Sequence, residues 1–192
     1  YQKQLWIGTQ QGLSRWDGTR FENFGTTDGL VGNTISAITE DKTGVIWFGS
    51  FMNGLSRWNG RGFANLTSGE GLPNARVNQL LADRQGHVWV GLDTLGAARW
   101  DGKSFRTYSP ADGMGATFAP SILEDRDGVI WFGHRRKVSL FDGFAWSSLP
   151  LEAGQDQKED AQVAAMIQSR DGSVWLGTSD GLFRYRKGEP LQ

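Results

Sequence analysis

The sequence predicts an all-β fold built from a repeated four-stranded unit, and three observations carry this prediction. Of the 192 residues, 27 are Gly, which is about twice the usual share of roughly 7 %. Nine residues are Trp, and five of them recur at a nearly constant spacing. No segment shows the sustained 3.6-residue apolar period of a helix. We therefore expect many turns, short strands and a repeating aromatic core.

The repeat is anchored by five Trp residues that each stand two positions before a Gly, at spacings of 41, 42, 42 and 44 residues. They are Trp6, Trp47, Trp89, Trp131 and Trp175. A second aromatic series follows ten or eleven residues later, at Trp16, Trp58, Trp100, Phe141 and Tyr185. Four strands every ~40–45 residues is the spacing of β-propeller blades. The sequence therefore predicts a β-propeller of four-stranded blades.

Each repeat resolves into four strands, named A to D from the inside of the propeller outwards. In the second repeat we predict strands at Ile35–Glu40, Val45–Gly49, Gly54–Trp58 and Phe63–Leu66. Asp-Lys-Thr-Gly at 41–44 and Asn-Gly at 59–60 supply the turn residues between them. The large flat Trp side chains are expected to fill the wedge between neighbouring blades.

Applied to the whole chain, the pattern gives strands B–C–D, three full A–D sets and then A–B–C, or about four and a half blades. Residues 1–192 are thus expected to form a single propeller domain, or a fragment of one, that begins and ends within a blade. Such a chain is either part of a longer repeat protein or closes with a second copy. Open blade edges also predict a homo-oligomer.

Composition narrows the function classes. A formal net charge of −1 gives no overall attraction to nucleic acid or to an anionic membrane. The chain has no Cys, so disulfides, thiolate metal sites and Cys nucleophiles are excluded. No apolar run reaches the ~18 residues of a membrane helix. We predict no cofactor, no metal, no nucleic-acid partner and no membrane insertion by this segment.

Written as a consensus, the repeat reads D-G-L, a gap, a strand, E-D-x-x-G-x-I-W-F-G-[ST], a short turn, and G-L-x-R-W-[DN]-G-x-x-F. The second copy carries it at residues 28–30, 40–50 and 54–60. This resembles the two-component regulator propeller repeat, found in the extracytoplasmic sensor regions of bacterial hybrid histidine kinases. The resemblance implies a periplasmic or extracellular, ligand-sensing propeller, often one that responds to polysaccharide breakdown products. Related repeats also occur in secreted propellers without a kinase.

A ligand site is expected where one repeat departs from the others, because shared positions are explained by the scaffold. The B–C turn of the fourth repeat reads Gly-His-Arg-Arg-Lys-Val, where other copies end in Gly-Leu. We predict that His134, Arg135, Arg136 and Lys137 bind a carboxylate or sulfate of an acidic saccharide. In the alternative, these cations pair on a solvated face with acids of the following D–A connection, namely Glu152, Asp156, Glu159 and Asp160.

Phe51 and Met52, in the B–C turn of the second repeat, are a second candidate for stacking on a sugar or contacting a partner. The periodic Arg15, Arg57, Arg99 and Arg184 are instead expected to be structural, with Leu140 breaking their series. Gly-Thr-Ser-Asp-Gly at 177–181 imitates a serine-hydrolase elbow but falls on a predicted hairpin turn. Asp-Arg-Asp-Gly at 125–128 is interpreted as a turn and not as a calcium site.

These features favour a non-enzymatic, ligand-binding sensor propeller located in the periplasm or outside the cell. The first alternative is a structural module in which the propeller mediates protein association or dimerisation and no small ligand binds. A propeller lyase is a further alternative. It is disfavoured because only His87 and His134 are available as imidazole bases and no acid–base constellation accompanies them.

Overall fold

The structure is a computed structural model that describes residues 4–151, 161–187 and 189. Within these residues, eighteen strands form five sheets that follow one another along the chain. Sheet 1 contains β1 (Leu5–Thr9), β2 (Gly12–Trp16) and β3 (Phe21–Phe24). Sheet 2 contains β4 (Ile35–Glu40), β5 (Ile46–Ser50), β6 (Gly54–Trp58) and β7 (Phe63–Leu66). Sheet 3 contains β8 (Val77–Ala82), β9 (Val88–Leu92), β10 (Ala97–Trp100) and β11 (Phe105–Tyr108).

The last two sheets complete the described chain. Sheet 4 contains β12 (Ser121–Glu124), β13 (Ile130–Gly133), β14 (Lys137–Phe141) and β15 (Trp146–Pro150). Sheet 5 contains β16 (Val163–Gln168), β17 (Val174–Thr178) and β18 (Gly181–Tyr185). This is the predicted series of B–C–D, three A–D sets and A–B–C, so the all-β fold of four-stranded blades is confirmed. The prediction that the chain begins and ends within a blade also rests on its outermost residues. Of these, residues 1–3, 188 and 190–192 lie outside the described residues.

The turn between strands A and B is held by an aspartate that sequence reasoning treated only as a turn residue. Asp41 Oδ1 accepts hydrogen bonds from the amides of Thr43 and Val45, while its Oδ2 accepts one from Trp47 Nε1 at 2.8 Å. Burial alone would raise the pKa of Asp41, but these hydrogen bonds outweigh it and lower that pKa below its usual value. Because Val45 belongs to this turn, β5 begins at Ile46, one residue later than predicted.

The same bond recurs in the next two repeats. Trp89 Nε1 donates to Asp83 Oδ2, and Trp131 Nε1 donates to Asp125 Oδ2, each at 2.8 Å. In all three cases the Asp lies six residues before the Trp. One carboxylate thus caps a turn and orients the aromatic ring that packs between sheets.

The connections between strands D and A contain short 3-10 turns at Thr26–Asp28, Ser68–Glu70 and Pro110–Asp112. The terminal acid of each turn accepts a backbone hydrogen bond from the residue three positions earlier, as Asp28 does from Gly25 at 2.8 Å. After the next Gly, an apolar side chain (Leu30, Leu72 or Met114) is at most 4 % exposed. The D-G-L motif is therefore a turn followed by an anchor in the core.

The described chain divides into two compact units. The first comprises the residues up to Leu92 together with Ala98–Arg106, and the second comprises Asp93–Ala97 together with the residues from Thr107 onward. In the first unit, the apolar side chains pack between sheets 1 and 2 and between sheets 2 and 3. In the second unit, an apolar cluster lies between sheets 4 and 5 and includes Trp131, Val163 and Leu176. The assignment of residues 1–192 to a single domain stays a prediction.

Candidate functional site

The B–C turns and the D–A connections lie side by side within each unit. In the first unit, the amide of Phe51 donates to the Thr34 carbonyl at 2.9 Å, and that of Gly54 donates to the Ala75 carbonyl at 2.8 Å. In the second unit, the amide of Arg136 donates to the Ala161 carbonyl at 2.8 Å. Within each unit, the B–C turns are thus hydrogen-bonded to the neighbouring D–A connections.

The B–C turn of sheet 4 has its own geometry. The corresponding turns of sheets 1, 2 and 5 reach a positive φ at Gly12, Gly54 and Gly181. In sheet 4 the positive φ, 52°, falls on Arg136, the one non-glycine residue with this conformation in the described chain. An L-residue in this region is strained, so neighbouring contacts must hold the turn in place.

Those contacts come from both sides of the turn. Besides the Arg136 bond to Ala161, the Leu151 amide donates to the Arg136 carbonyl at 2.8 Å. The Val163 amide donates to the His134 carbonyl at 2.9 Å, and Arg135 forms an isolated antiparallel bridge with Gln162. Arg135 is exposed, while Arg136 and Lys137 are half-buried. The backbone of the turn is thus held by hydrogen bonds, and the turn carries three cationic side chains that are exposed or half-buried.

His134 is not part of that exposed surface, and this corrects its predicted position. The residue is 0 % exposed. Its Nδ1 lies 2.6 Å from the Phe118 carbonyl oxygen, and its Nε2 lies 2.8 Å from Ser139 Oγ. Because a carbonyl can only accept, Nδ1 carries the proton and Nε2 accepts from the Ser139 hydroxyl. Ser139 Oγ in turn accepts from the Gly115 amide at 2.8 Å.

A series of hydrogen bonds runs from Gly115 through Ser139 and His134 to Phe118. In this series both ring nitrogens of a neutral His134 imidazole have a hydrogen-bond partner. Burial lowers the pKa of His134 below 6.5, and the Lys137 charge acts in the same direction against the Phe118 hydrogen bond. In sheets 1 and 5 the equivalent position is a Thr that closes its own turn, as when Thr9 Oγ1 donates to the Gly12 carbonyl at 2.9 Å. His134 instead ties the turn to the connection that precedes sheet 4.

The acids offered as alternative partners of the cationic turn, Glu152, Asp156, Glu159 and Asp160, lie outside the described residues. Arg135 and Arg136 both have further interactions within the protein. Ligand binding by these cations and their pairing with the acids of the connection both stay predictions.

Phe51 and Met52 are 41 % and 58 % exposed in the turn between β5 and β6. They belong to the first unit, whereas the cationic turn belongs to the second. Each unit thus carries one of the two candidate surfaces.

The periodic arginines line the sheets as predicted. Arg15 stands opposite Trp6 in the strand register, and its guanidinium carbon lies 5.5 Å from the ring centroids of both Trp6 and Trp58. Since Trp58 belongs to the next sheet, Arg15 bridges two sheets by cation–π contacts. Arg57 over Trp47 and Arg99 over Trp89 repeat the contact at 5.9 Å and 5.5 Å.

The Asp-Arg-Asp-Gly motif at 125–128 and the Gly-Thr-Ser-Asp-Gly motif at 177–181 both contain turns, as predicted. Both carboxylate oxygens of Asp125 are used inside its own turn. In the residues that the structure describes, no group of three or more His, Cys, Asp or Glu side chains is placed to bind a metal ion. Residues 179–180 form the turn of the β17–β18 hairpin, so Ser179 lacks the strand-to-helix setting of a hydrolase elbow.

Sequence reasoning missed three contributors to this geometry. The indole-binding aspartates had a signal, the six-residue spacing from Asp to Trp. The Ser139 hydroxyl also had a signal, because Ser recurs at this position of strand C as Ser14 and Ser56. The Phe118 carbonyl had none, because it approaches His134 only through the fold. The described part of the chain also contains no helix with the length and apolarity that crossing a membrane requires.

Comparisons with known proteins agree with this architecture. The family model described as two component regulator propeller matches residues 29–52, 71–94 and 113–136. Each matched segment begins at the Gly after a 3-10 turn and ends in a B–C turn. No curated protein sequence matches the chain.

Solved structures share the fold at low sequence identity. An extracellular domain assigned to a hybrid two component system of B. thetaiotaomicron has a TM-score of 0.84 at 19 % identity, over 97 % of this chain and 26 % of that one. A second such domain from B. thetaiotaomicron has a TM-score of 0.83 at 22 % identity, over 100 % and 28 %. A catalytically inactive virginiamycin B lyase from Staphylococcus aureus has a TM-score of 0.66 at 16 % identity, over 99 % and 58 %.

The chain spans about a quarter of the length of the two extracellular domains. Identities this low show a common fold and do not carry a function from one protein to another. The matched segments, the sheet series and the recurring Asp–Trp bonds agree on one assignment. The chain is built of β-propeller blades, and three of its segments match the two component regulator propeller repeat.

Proposed function

We propose that this chain is a non-enzymatic, ligand-binding part of an extracytoplasmic sensor, in the periplasm or outside the cell. The repeat family supports a role in two-component signalling, and the two B. thetaiotaomicron structures are extracellular domains. The ligand we propose is an acidic saccharide that binds at the B–C turn of sheet 4. Arg135 and Arg136 would pair with its carboxylate or sulfate groups, and Lys137 would add a point charge.

One observation carries this proposal: a strained, non-glycine turn that presents cations where other repeats place Gly-Leu. Arg136 keeps a φ of 52° because backbone hydrogen bonds to Leu151 and Ala161, at the two ends of the following D–A connection, fix it. Strain of this kind costs stability, so its persistence at one repeat favours a role in binding. His134 does not touch the ligand in this proposal. It positions the turn through Phe118 and Ser139.

Calorimetry on the full chain tests the site. The probes are trigalacturonic acid and a sulfated disaccharide, with neutral maltotriose for comparison. We expect the acidic probes alone to bind, and we expect the affinity to fall as salt is raised. The double variant Arg135→Ala/Arg136→Gly should weaken binding at least tenfold, since Gly accepts the φ of position 136 without strain.

The matched control removes the same charge elsewhere. Arg61 and Lys103 are exposed cations in C–D turns, so Arg61→Ala/Lys103→Ala should leave the affinity unchanged. Equal weakening by both double variants would mean that net charge, and not the turn, attracts the probe. Tight binding of maltotriose would reject the acidic chemistry.

Phe51 and Met52 form a second proposed contact, for the face of a sugar ring or for a partner. Their exposure supports it. The variant Phe51→Ser/Met52→Ser changes no charge, so it separates an apolar contribution from an electrostatic one. Unchanged affinity for the acidic probes in this variant would confine their binding to the cationic turn.

A protein-association role is the second candidate. The exposed apolar pair Phe51 and Met52 favours it, because such a pair can contact a partner protein as well as a sugar.

Light scattering over a concentration series distinguishes this role from ligand binding. A mass that rises with concentration, and that is unaffected by the acidic probes, supports association. A constant monomer mass contradicts it.

The lyase alternative has less support. Both ring nitrogens of His134 are engaged and the residue is buried, so a substrate does not reach it without rearrangement. His87 Nδ1 lies 3.0 Å from Asp83 Oδ2, in the A–B turn. Turnover of a streptogramin that is lost in His134→Ala would restore this alternative.

A further inference from the structure

A small cavity of about 130 Å³ lies between sheets 4 and 5, near the A–B turns and away from the cationic turn. Its wall combines aromatic rings, aliphatic side chains, carboxylates and one ammonium group, and it includes Trp131, Tyr185, Leu140, Asp125, Asp127 and Lys187. All of these residues belong to the second unit. The volume is below the ~300 Å³ of pockets for drug-sized ligands, so it suits a single head group.

The other repeats show what normally occupies this place. The residue opposite the B-strand Trp is Arg15 in sheet 1, Arg57 in sheet 2 and Leu140 in sheet 4. Arg15 and Arg57 lie over their Trp rings at 5.5 Å and 5.9 Å. The cation therefore stacks on the indole of its own sheet, and in sheet 1 Arg15 also reaches Trp58 of the next sheet at 5.5 Å.

In sheet 4 the aromatic pair remains but its own cation is missing. The rings of Trp131 and Tyr185 have their centroids 5.1 Å apart in an edge-to-face arrangement. Leu140 is shorter than Arg and uncharged, and the cavity borders its side chain. Two aromatic rings beside carboxylates favour a cation, because the negative ring faces and the acids act in the same direction.

We propose that this cavity binds a guanidinium or alkylammonium group supplied from outside the chain. The group would take the place that the Arg side chain takes in the other repeats. Trp131 and Tyr185 would provide the cation–π contact, with Asp127 at the entrance. The source is either a free organic cation or a basic side chain of a peptide, since the head group is the same.

Lys187 also borders the cavity. Its Nζ lies 3.5 Å from Asp127 Oδ2, and the side chain of Lys187 is 86 % exposed. An exposed ion pair of this type contributes little, so an entering cation can share or displace it.

Nuclear magnetic resonance of the full chain tests the proposal through the Trp131 indole N–H signal, assigned from a Trp131→Phe sample. Ethylguanidinium is the probe, and ethylurea, which has nearly the same shape without the charge, is its neutral counterpart. We expect ethylguanidinium to shift the signal with a millimolar dissociation constant, as suits one small head group. Ethylurea should shift it at least tenfold less at the same concentration.

The variant Leu140→Arg supplies the missing cation from within and should abolish the shift. Leu140→Met keeps an apolar side chain of similar volume and should retain it. If Leu140→Arg does not fold, Asp127→Asn replaces it, because this exposed carboxylate can be neutralised without disturbing the core. Asp127→Asn should weaken binding several-fold.

A Gly-Arg-Gly peptide and free ethylguanidinium distinguish the two sources. Tighter binding of the peptide indicates a basic protein segment, and weaker binding indicates a small organic cation. The absence of a shift at 100-fold more probe than protein overturns the proposal. So does an equal shift with ethylurea, or a shift that both Leu140→Arg and Asp127→Asn leave unchanged.

Discussion

Sheets 2 and 4 are built on the same frame and differ at its two ends. Both have an Asp that caps the A–B turn and binds the B-strand indole, Asp41 with Trp47 and Asp125 with Trp131. At the B–C end, sheet 2 has Ser50 where sheet 4 has His134. In strand C, sheet 2 has Arg57 where sheet 4 has Leu140.

This comparison separates residues that make the fold from residues that can carry a function. The Asp–Trp pair recurs in sheets 2, 3 and 4 and therefore belongs to the scaffold. The exceptions in sheet 4 replace a turn-closing hydroxyl by a buried imidazole, and a stacked cation by a cavity. A function that belongs to one repeat must lie in such exceptions.

The largest effect should come from breaking the shared frame. Asp41→Ala and Asp125→Ala each leave an indole N–H and turn amides without their acceptor, and each should cost about 3 kcal/mol of unfolding free energy. Asp101 accepts two backbone hydrogen bonds in a C–D turn but binds no indole. Asp101→Ala should therefore cost only about 1 kcal/mol. Urea denaturation measures all three, and equal losses would contradict a special role for the indole bond.

The second test concerns His134, which sheet 2 lacks. The unfolded chain takes up a proton at this residue near pH 6.5, whereas burial keeps the folded form neutral to lower pH. The unfolding free energy should therefore fall as the pH drops below about 6.5, by at most about 1.4 kcal/mol per pH unit.

Urea titrations between pH 7.5 and 5 measure this slope. His134→Gln should flatten it, while the matched variant His87→Gln should retain it. A wild-type slope that survives in His134→Gln would assign the pH dependence to another group.

The third test replaces the strand-C arginine of sheet 2 by the leucine that sheet 4 has at the same position. Arg57→Leu removes the cation from Trp47 and should destabilise the protein by about 1 kcal/mol through the lost cation–π contact. Arg61→Leu, at an exposed position in the neighbouring turn, should change stability by less than about 0.5 kcal/mol. Thermal unfolding compares the two. Equal melting temperatures would mean that the stacked arginines are not structural.

The smallest effect should come from relieving the strained turn. Arg136→Gly removes the cost of a positive φ, offset in part by the greater freedom of Gly in the unfolded chain, and should stabilise the protein by up to about 1 kcal/mol. Arg135→Gly relieves no strain and should be neutral or destabilising. Chemical denaturation of the pair checks the sign. A loss of stability in Arg136→Gly would show that its side chain contributes more than its backbone costs.

Much of the fold could be read from the sequence because the repeat averages out local ambiguity. Three predicted strands, Ile35–Glu40, Gly54–Trp58 and Phe63–Leu66, coincide with β4, β6 and β7. The fourth was one residue off because the Asp41 turn extends to Val45. Turn residues and periodic aromatic residues act through short-range geometry, so they can be recognised from the sequence alone.

The position of the candidate site along the chain could be predicted from the sequence, but the three-dimensional arrangement of its side chains could not. The break in the fourth repeat pointed to residues 134–137, and the structure places them together in one turn. The sequence does not distinguish a buried His from an exposed one, however. The Phe118 carbonyl that binds His134 lies 16 residues before it along the chain. Leu140 was visible as a break in the arginine series. The cavity it borders depends on Tyr185 of the next sheet, so packing alone could show it.

Several hydrogen bonds join neighbouring sheets at a distance of one repeat along the chain. Ser36 Oγ donates to the Val77 carbonyl and Ser121 Oγ to the Val163 carbonyl, at separations of 41 and 42 residues. The entropic cost of closing a loop grows only with the logarithm of its length, so each such bond closes a loop of nearly the same cost. Folding can then start at any adjacent pair of repeats and spread stepwise, at a rate governed by the weakest junction.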